Sequence, residues 1–247
     1  MSPSFSLSGR KALVTGANTG IGQAIALALA EAGAEVTCAG RRSCSETVAA
    51  IEAAGGRATS LTLDLADPMA ARDVFAGSGH SILVNNAGII RRGDSVDFTE
   101  DDWDAVMDVN LKALFFTTQA FARELLARGE GGAVVSIASM LSFQGGIRVP
   151  SYTAAKHGVA GITKILANEW AAKDINVNAV APGYIATNNT KALRDDPDRS
   201  AAILERIPAG HWGAPEDIAG TAVFLCSPAA RYVHGAVIPV DGGWLAR

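Results

Sequence analysis

Tyr152 and Lys156 stand four residues apart within Val149 to Ala172, a run whose pattern predicts a helix, so a phenol and an ammonium share one helical face. A phenol holds its proton up to a pKa near ~10 and yields it at neutral pH only where a neighbour favours the anion, as an adjacent cation does. The pair is a candidate acid/base, although alone it equally describes a solvated helix edge. A second signal is Gly16-Ala17-Asn18-Thr19-Gly20-Ile21-Gly22, set between a short apolar run, Lys11 to Thr15, and an Ala-rich helical pattern, Gln23 to Ala32, closed by Gly33. Glycines let backbone N–H groups approach a ligand, and a helix start offers unpaired donors and a positive dipole to a pyrophosphate. Asn110 is a third. It lies between Val109 and Leu111 inside a predicted helix, where an unpaired buried carboxamide is costly, so it is expected to be hydrogen-bonded or functional.

The elements that must position these groups alternate along the chain. After the first strand and helix come a strand at Glu35 to Gly40, a helix at Ser45 to Ala54, a strand through Leu61 to Leu63 ending at Asp64, and a strand at Ser81 to Val84 running into Asn85-Asn86-Ala87-Gly88. One long helix, Asp101 to Arg128, carries Asn110. A strand at Val134 to Ile137 then ends at Ala138-Ser139 and a Gly145-Gly146 loop before the Tyr152 helix. The strand Ile175 to Ala181 closes at Pro182-Gly183-Tyr184-Ile185-Ala186-Thr187, and Asn188 to Pro197 reads as a polar lid. A helix at Glu216 to Cys226 and a strand at Ala236 to Val240 complete the pattern. Such alternation predicts an α/β fold, a doubly wound Rossmann-type three-layer sandwich with a seven-stranded parallel sheet, as a single unit over residues 1–247. The glycine turn, Asn86 to Gly88, Ser139, Tyr152 and Pro182 to Thr187 all follow carboxyl ends of strands, where such sheets bind ligands. The end of the second strand bears on cofactor choice, because an acid there holds ribose hydroxyls and an arginine accommodates a 2′-phosphate. Gly40-Arg41-Arg42 stands at that point and favours NADP over NAD, with a solvated arginine loop as the alternative.

Composition sets the outer bounds. The chain has 247 residues, 49% hydrophobic and 19% charged, an ordinary globular balance. With 21 basic against 25 acidic residues and a formal charge of −4 it offers no basic footprint, so neither nucleic acid nor an anionic membrane is an expected partner. The three cysteines, Cys38, Cys44 and Cys226, fit no metal or redox spacing, and the N-terminus lacks a signal-peptide layout, so no metal site and a cytoplasmic location are expected. The most apolar helical stretch, Ala24 to Ala34, is interrupted by Glu31 and too short to span a bilayer. His80, His157, His211 and His234 have no partner pattern and read as structural.

Over essentially its whole length the chain resembles the short-chain dehydrogenase/reductase family. The matching features are TGANTGIG, NNAG, Asn110, Ser139 placed 13 residues before Tyr152, YTAAK and PGYIAT. The resemblance implies an NAD(P)-dependent oxidoreductase that interconverts a secondary alcohol and a ketone, assembled as a homotetramer. It implies that Tyr152 is the general acid/base, that Lys156 lowers its pKa and holds the nicotinamide ribose, that Ser139 donates to the substrate oxygen, and that Asn110 holds a water linking Lys156 to solvent. Around the cofactor it sets Gly16, Asn18, Thr19, Gly20, Ile21 and Gly22, with Arg41 and Arg42 beside the adenosine ribose and Asp64 and Leu65 at the adenine. Asn86, Ala87 and Gly88 line a ribose, and Pro182, Gly183, Ile185 and Thr187 the carboxamide and pyrophosphate region.

Within the family, SMLSFQGGIRVPSYTAAKHG, NEWAAKDINVNAVAPGYIATNNT, ERIPAG, VDGGWLAR and GIIRRGDS are similar to enzymes acting on keto-deoxy sugar acids. Such a substrate carboxylate suits a guanidinium fork. Arg148, Arg91 and Arg92 are the candidates, with Gln144 as a polar helper, and Arg148 is expected to make the contact. The Arg41-Arg42 pair departs from NAD-preferring members of that group. Competing readings are a gluconate dehydrogenase or another polyol or 3-oxoacyl ketoreductase, and a cofactor-sensing protein without turnover, against which the intact Asn110, Ser139, Tyr152 and Lys156 argue.

Overall fold

The computed structural model describes residues 4–247. Seven strands, β1 Lys11–Thr15, β2 Glu35–Gly40, β3 Arg57–Thr62, β4 Ile82–Asn85, β5 Gly132–Ile137, β6 Ile175–Pro182 and β7 Val237–Val240, pair in parallel in the order β3-β2-β1-β4-β5-β6-β7. Eight α-helices accompany them among the described residues: α1 Gly20–Glu31, α2 Ser45–Ala53, α3 Glu100–Met107, α4 Leu114–Arg128, α5 Pro150–Trp170, α6 Lys191–Arg194, α7 Pro197–Arg206 and α8 Pro215–Cys226.

Alternation along the strands divides the core into two layers, because successive side chains leave opposite faces of a sheet. Ala12 and Val14, Val36 and Cys38, Ile82 and Val84, and Val135 and Ile137 pack with Ile25 and Leu29 of α1 and Ile218 and Leu225 of α8. The intervening Leu13, Ala39, Leu83 and Val134 pack on the other side with Phe121 and Leu125 of α4 and Leu166 and Trp170 of α5. Both faces of the central strands are thus covered, and they read as continuous apolar runs, the mark of a buried parallel sheet.

The third strand is Arg57–Thr62 rather than a run through Leu63, and one predicted helix is divided. The link from β3 to β4 contains no α-helix; it folds as successive i→i+3 turns, with Arg72 N donating to Met69 O at 3.0 Å and Ser78 N to Phe75 O at 3.1 Å, and buries Ala71 and Phe75. The expected single helix over 101–128 is α3, a π-helical turn at Asp108–Ala113, and α4. Asn110 lies in that wider turn, a form that recurs at functional sites.

Glycines mark where the backbone is crowded and where it is free. A methyl group at Gly22 would stand 2.2 Å from Gly16 O and 2.3 Å from Asn86 Nδ2, whereas one at Gly161, exposed within α5, meets nothing within 4 Å. Gly161→Ala is expected to raise stability by about 0.5–1 kcal/mol through helix propensity. Gly22→Ala is expected to lower it by several times that amount, since backbone must move to admit the methyl. Thermal melts of the two variants give opposite signs; a Gly22→Ala melt like the wild type contradicts the packing described.

Candidate active site

The order of the sheet reverses between β1 and β4, and there the two strands diverge at their carboxyl ends. Thr15 Oγ1 bridges the gap, accepting from Asn86 N and Ala87 N, each at 3.0 Å. Asn86 Nδ2 donates to Thr15 O at 2.9 Å and Gly16 O at 3.2 Å, so this carboxamide shapes the glycine turn while exposed Gly88 fronts the crevice. Gly16 and Gly20 take φ of 66° and 58°, a region that side chains rarely enter. The N-cap of α1, Thr19, makes no side-chain cap bond, which leaves the first-turn N–H groups without a side-chain acceptor. Thr187 reaches the same spot, its Cγ2 lying 3.5 Å from where a Gly20 Cβ would stand. Arg41 and Arg42 are exposed at the end of β2 and form no ion pair among the described residues.

These features fit a dinucleotide: an uncapped helix start for a pyrophosphate and free guanidinium groups for a phosphate on the adenosine ribose. Asp64 is exposed and its Oδ1 accepts from Ala66 N at 3.0 Å. Leu65 and Ile185 are buried within the two core layers, so their side chains face the interior.

On the other side of the crevice the catalytic candidates converge. Burial raises the Tyr152 phenol above its ordinary pKa, while the Ser139 hydroxyl and the Arg92 charge pull it back down. Ser139 Oγ accepts from Leu141 N at 3.1 Å, which leaves its single O–H free to donate elsewhere. Lys156 is 4% exposed, lies with Nζ 5.4 Å from the Tyr152 ring centroid, and donates to Ile137 O at 2.6 Å. Burial lowers its ammonium to about 8. Ser139 and Arg92 act to lower the phenol, while Lys156, expected to do the same, stands with its Nζ over the Tyr152 ring and donates to the Ile137 carbonyl. The buried Asn110 carboxamide accepts from Ile89 N and donates to Ile89 O, both at 2.8 Å. It meets the expectation of a bonded side chain, and it anchors the segment that leads into Arg91 and Arg92.

The three arginines differ in their partners. Arg148 Nε lies 2.9 Å from Asp94 Oδ1, and Arg91 Nε lies 3.0 Å from Asp102 Oδ1. Arg92 has no carboxylate among the described residues; its Nη2 donates to Asn189 O at 3.1 Å, across to the segment read as a lid. Arg148 also sits at φ 62°, held there by Gly93 N donating to its carbonyl at 3.1 Å. Arg148 and Arg91 are thus paired with carboxylates, whereas Arg92 is not, and its charge acts on the Tyr152 phenol. Gln144 Oε1 accepts from Trp244 Nε1 at 3.3 Å. Trp244 enters the sequence reading only as part of VDGGWLAR, without a role of its own. Of the histidines, His80 is buried between Thr37 and Ser78, His157 and His211 are exposed, each bonded to a backbone carbonyl, and His234 lies against Asn176.

Fold and site together define a dinucleotide-dependent oxidoreductase. Residues 16–245 match the family profile described as enoyl-(acyl carrier protein) reductase, and the chain belongs to the short-chain dehydrogenase/reductase family of NAD(P)-dependent oxidoreductases. It is 56% identical over 248 residues, 98% of each chain, to the 2-dehydro-3-deoxy-D-gluconate 5-dehydrogenase of Escherichia coli strain K12. A crystal structure of a protein from Agrobacterium tumefaciens, assigned as a 2-deoxy-D-gluconate 3-dehydrogenase with bound NADP, is 74% identical and superposes with a TM-score of 0.98 over 99% of both chains. The gluconate 5-dehydrogenase of Burkholderia cenocepacia, in complex with NADP and tartrate, is 38% identical with a TM-score of 0.93 over 99% of this chain and 98% of its own.

The buried Lys156 has a testable signature. Its folded-state pKa of about 8 lies below the value of ~10.4 for an unfolded lysine, so the stability linked to this group is present above ~10.4 and lost as pH falls through about 8. Lys156→Met lacks that dependence. Relative to wild type, its unfolding free energy is expected to improve as pH is lowered from about 10 to 8 and then to level off, as read from urea melts across that range. A difference independent of pH contradicts the burial of the charge.

Proposed function

We propose that the chain is an NADP(H)-dependent dehydrogenase of a keto-deoxy sugar acid, acting as one catalytic unit over residues 1–247 in the manner of 2-dehydro-3-deoxy-D-gluconate 5-dehydrogenase. The observation that carries this reading is the pairing of an acid/base with a hydroxyl donor, Tyr152 and Ser139, with Arg92, a guanidinium without a carboxylate, close enough for its charge to act on the phenol. A nicotinamide, when bound, would supply or accept the hydride. Tyr152 takes the carbinol proton, or returns it to the carbonyl oxygen, and the Ser139 O–H donates to that same oxygen as charge develops. Lys156, its Nζ 5.4 Å from the Tyr152 ring centroid, stabilises the phenolate and would hold the nicotinamide ribose. Arg92 receives the substrate carboxylate. NADP is supported by the unpaired Arg41 and Arg42 and by the NADP bound in the two relatives.

The relatives are named for oxidation at position 5 and at position 3, so the carbon attacked is to be read from product analysis. A gluconate 5-dehydrogenase is the second reading, favoured by the Burkholderia relative. A homotetramer is supported by exposed apolar groups on helices, Trp103, Leu126 and Ile165. A cytoplasmic location is supported by three buried free cysteines, and no described helix is long and apolar enough to cross a membrane.

Initial rates with NADPH and NADH against keto-deoxy sugar acids, gluconate and neutral polyols test the assignment, and a preference for neutral polyols refutes it. Tyr152→Phe is expected to lower kcat about 10²–10⁴-fold with NADPH affinity retained. Arg92→Ala is expected to raise KM for the acid about 10–100-fold and to leave a neutral polyol unaffected, while Arg148→Ala, whose side chain is exposed and already paired, changes it less than about threefold. Equal effects of the two arginine substitutions overturn the choice between them.

A further inference from the structure

Gln144 lies in the loop that joins Ser139 to Tyr152, half-buried among exposed Phe143, Ile147 and Arg148. Its side chain has a single partner among the described residues, Trp244 Nε1 at 3.3 Å. An indole N–H can only donate, so it must meet the carboxamide oxygen. That fixes the orientation of the amide. Oε1 is held by the indole, and Nε2, with two N–H donors, has no partner among the described residues.

Trp244 is itself firmly placed. It is 4% exposed, packs edge-on to Tyr184 at 4.8 Å between ring centroids, and carries the Arg206 guanidinium 4.0 Å over its ring. Asp241 organises the hook that presents it, Oδ1 accepting from Gly243 N and Oδ2 from Leu245 N, both at 2.9 Å, with Gly242 and Gly243 at positive φ. Arg247 Nη2 donates to Glu205 O at 2.7 Å, which ties the same hook to α7.

We infer that Gln144 reads an acceptor oxygen of the substrate through its two Nε2 hydrogens, and that Trp244 is the positioning residue that keeps those hydrogens, rather than Oε1, toward the site. The ligand class is an oxyanion or a hydroxyl oxygen of a polyhydroxy acid. A free amide rotates and presents either end; this one is held as a donor, which selects for carboxylate and carbinol oxygens and against groups that can only donate. The inference rests on the sugar-acid reading only for its choice of ligand.

The test uses the NADPH-loaded full chain and the variants Trp244→Phe, Gln144→Ala and the double substitution. Phe keeps the aromatic packing and removes the N–H. Two quantities are measured: the dissociation constant for tartrate or gluconate by calorimetry, and KM and kcat for the keto-deoxy sugar acid. Trp244→Phe is expected to raise the dissociation constant and KM about three- to tenfold, with kcat within about twofold and NADPH affinity unchanged. In the Gln144→Ala background the same substitution is expected to add nothing, because its target is gone. Additive effects, or a parallel loss of NADPH affinity, overturn the inference and leave Trp244 as packing alone. If the wild type turns over no sugar acid, the functional reading fails while the coupling is still read from the binding of the two acids; absence of that binding overturns both.

Discussion

A cation removed from water at the carboxyl end of a strand governs the arrangement of this site. Lys156 is almost wholly buried, and its ammonium donates to the carbonyl of Ile137, the last residue of β5. An ammonium in such a place must have an acceptor, so the bond fixes the approach of α5 to the sheet. The reverse connection runs from Ser142 Oγ to the Lys156 carbonyl at 2.6 Å. Between these two buried contacts the chain leaves β5, passes Ser139, makes the loop around Gln144 and returns as the first turn of α5 with Tyr152. Ser139 and Tyr152 are therefore held together by the closure of this loop at its base.

The strands were largely legible. β1 and β2 carry the residues expected of them because apolar runs bounded by glycine turns leave little freedom in register, and Asn110 was identifiable as a side chain that needed partners inside a helix. What escaped were features that depend on contacts between distant positions. Whether Arg148 or Arg92 is free for a ligand depends on Asp94 and Asp102, and nothing in the local pattern says which carboxylate reaches which guanidinium. Trp244 and Gln144 are separated by 100 residues. The π-helical turn at Asp108–Ala113 is likewise hidden, since its residue types suit an ordinary α-helix and only the bonding pattern is wider.

The charges around the crevice divide into balanced and unbalanced ones. Arg91 and Arg148 are neutralised at the rim, where exposed ion pairs contribute little stability and mainly hold loops in place. Arg41, Arg42 and Arg92 are left without carboxylates, the first two at the end of β2 and the third near Tyr152. A protein of net negative charge thus keeps guanidinium groups without carboxylates at the end of β2 and in the segment after β4, which suits a ligand pair with anionic groups.

The clamp between Asn110 and Ile89 has a consequence for how this surface can change. Both bonds end on main-chain atoms of residue 89, so the identity of that side chain is immaterial to them, whereas no other residue at 110 supplies a donor and an acceptor at the same reach. Two positions in direct contact therefore have opposite mutational tolerance. A library built to redirect specificity gains freedom at 89, where every residue that keeps its N–H preserves both bonds, and loses its scaffold if 110 is varied.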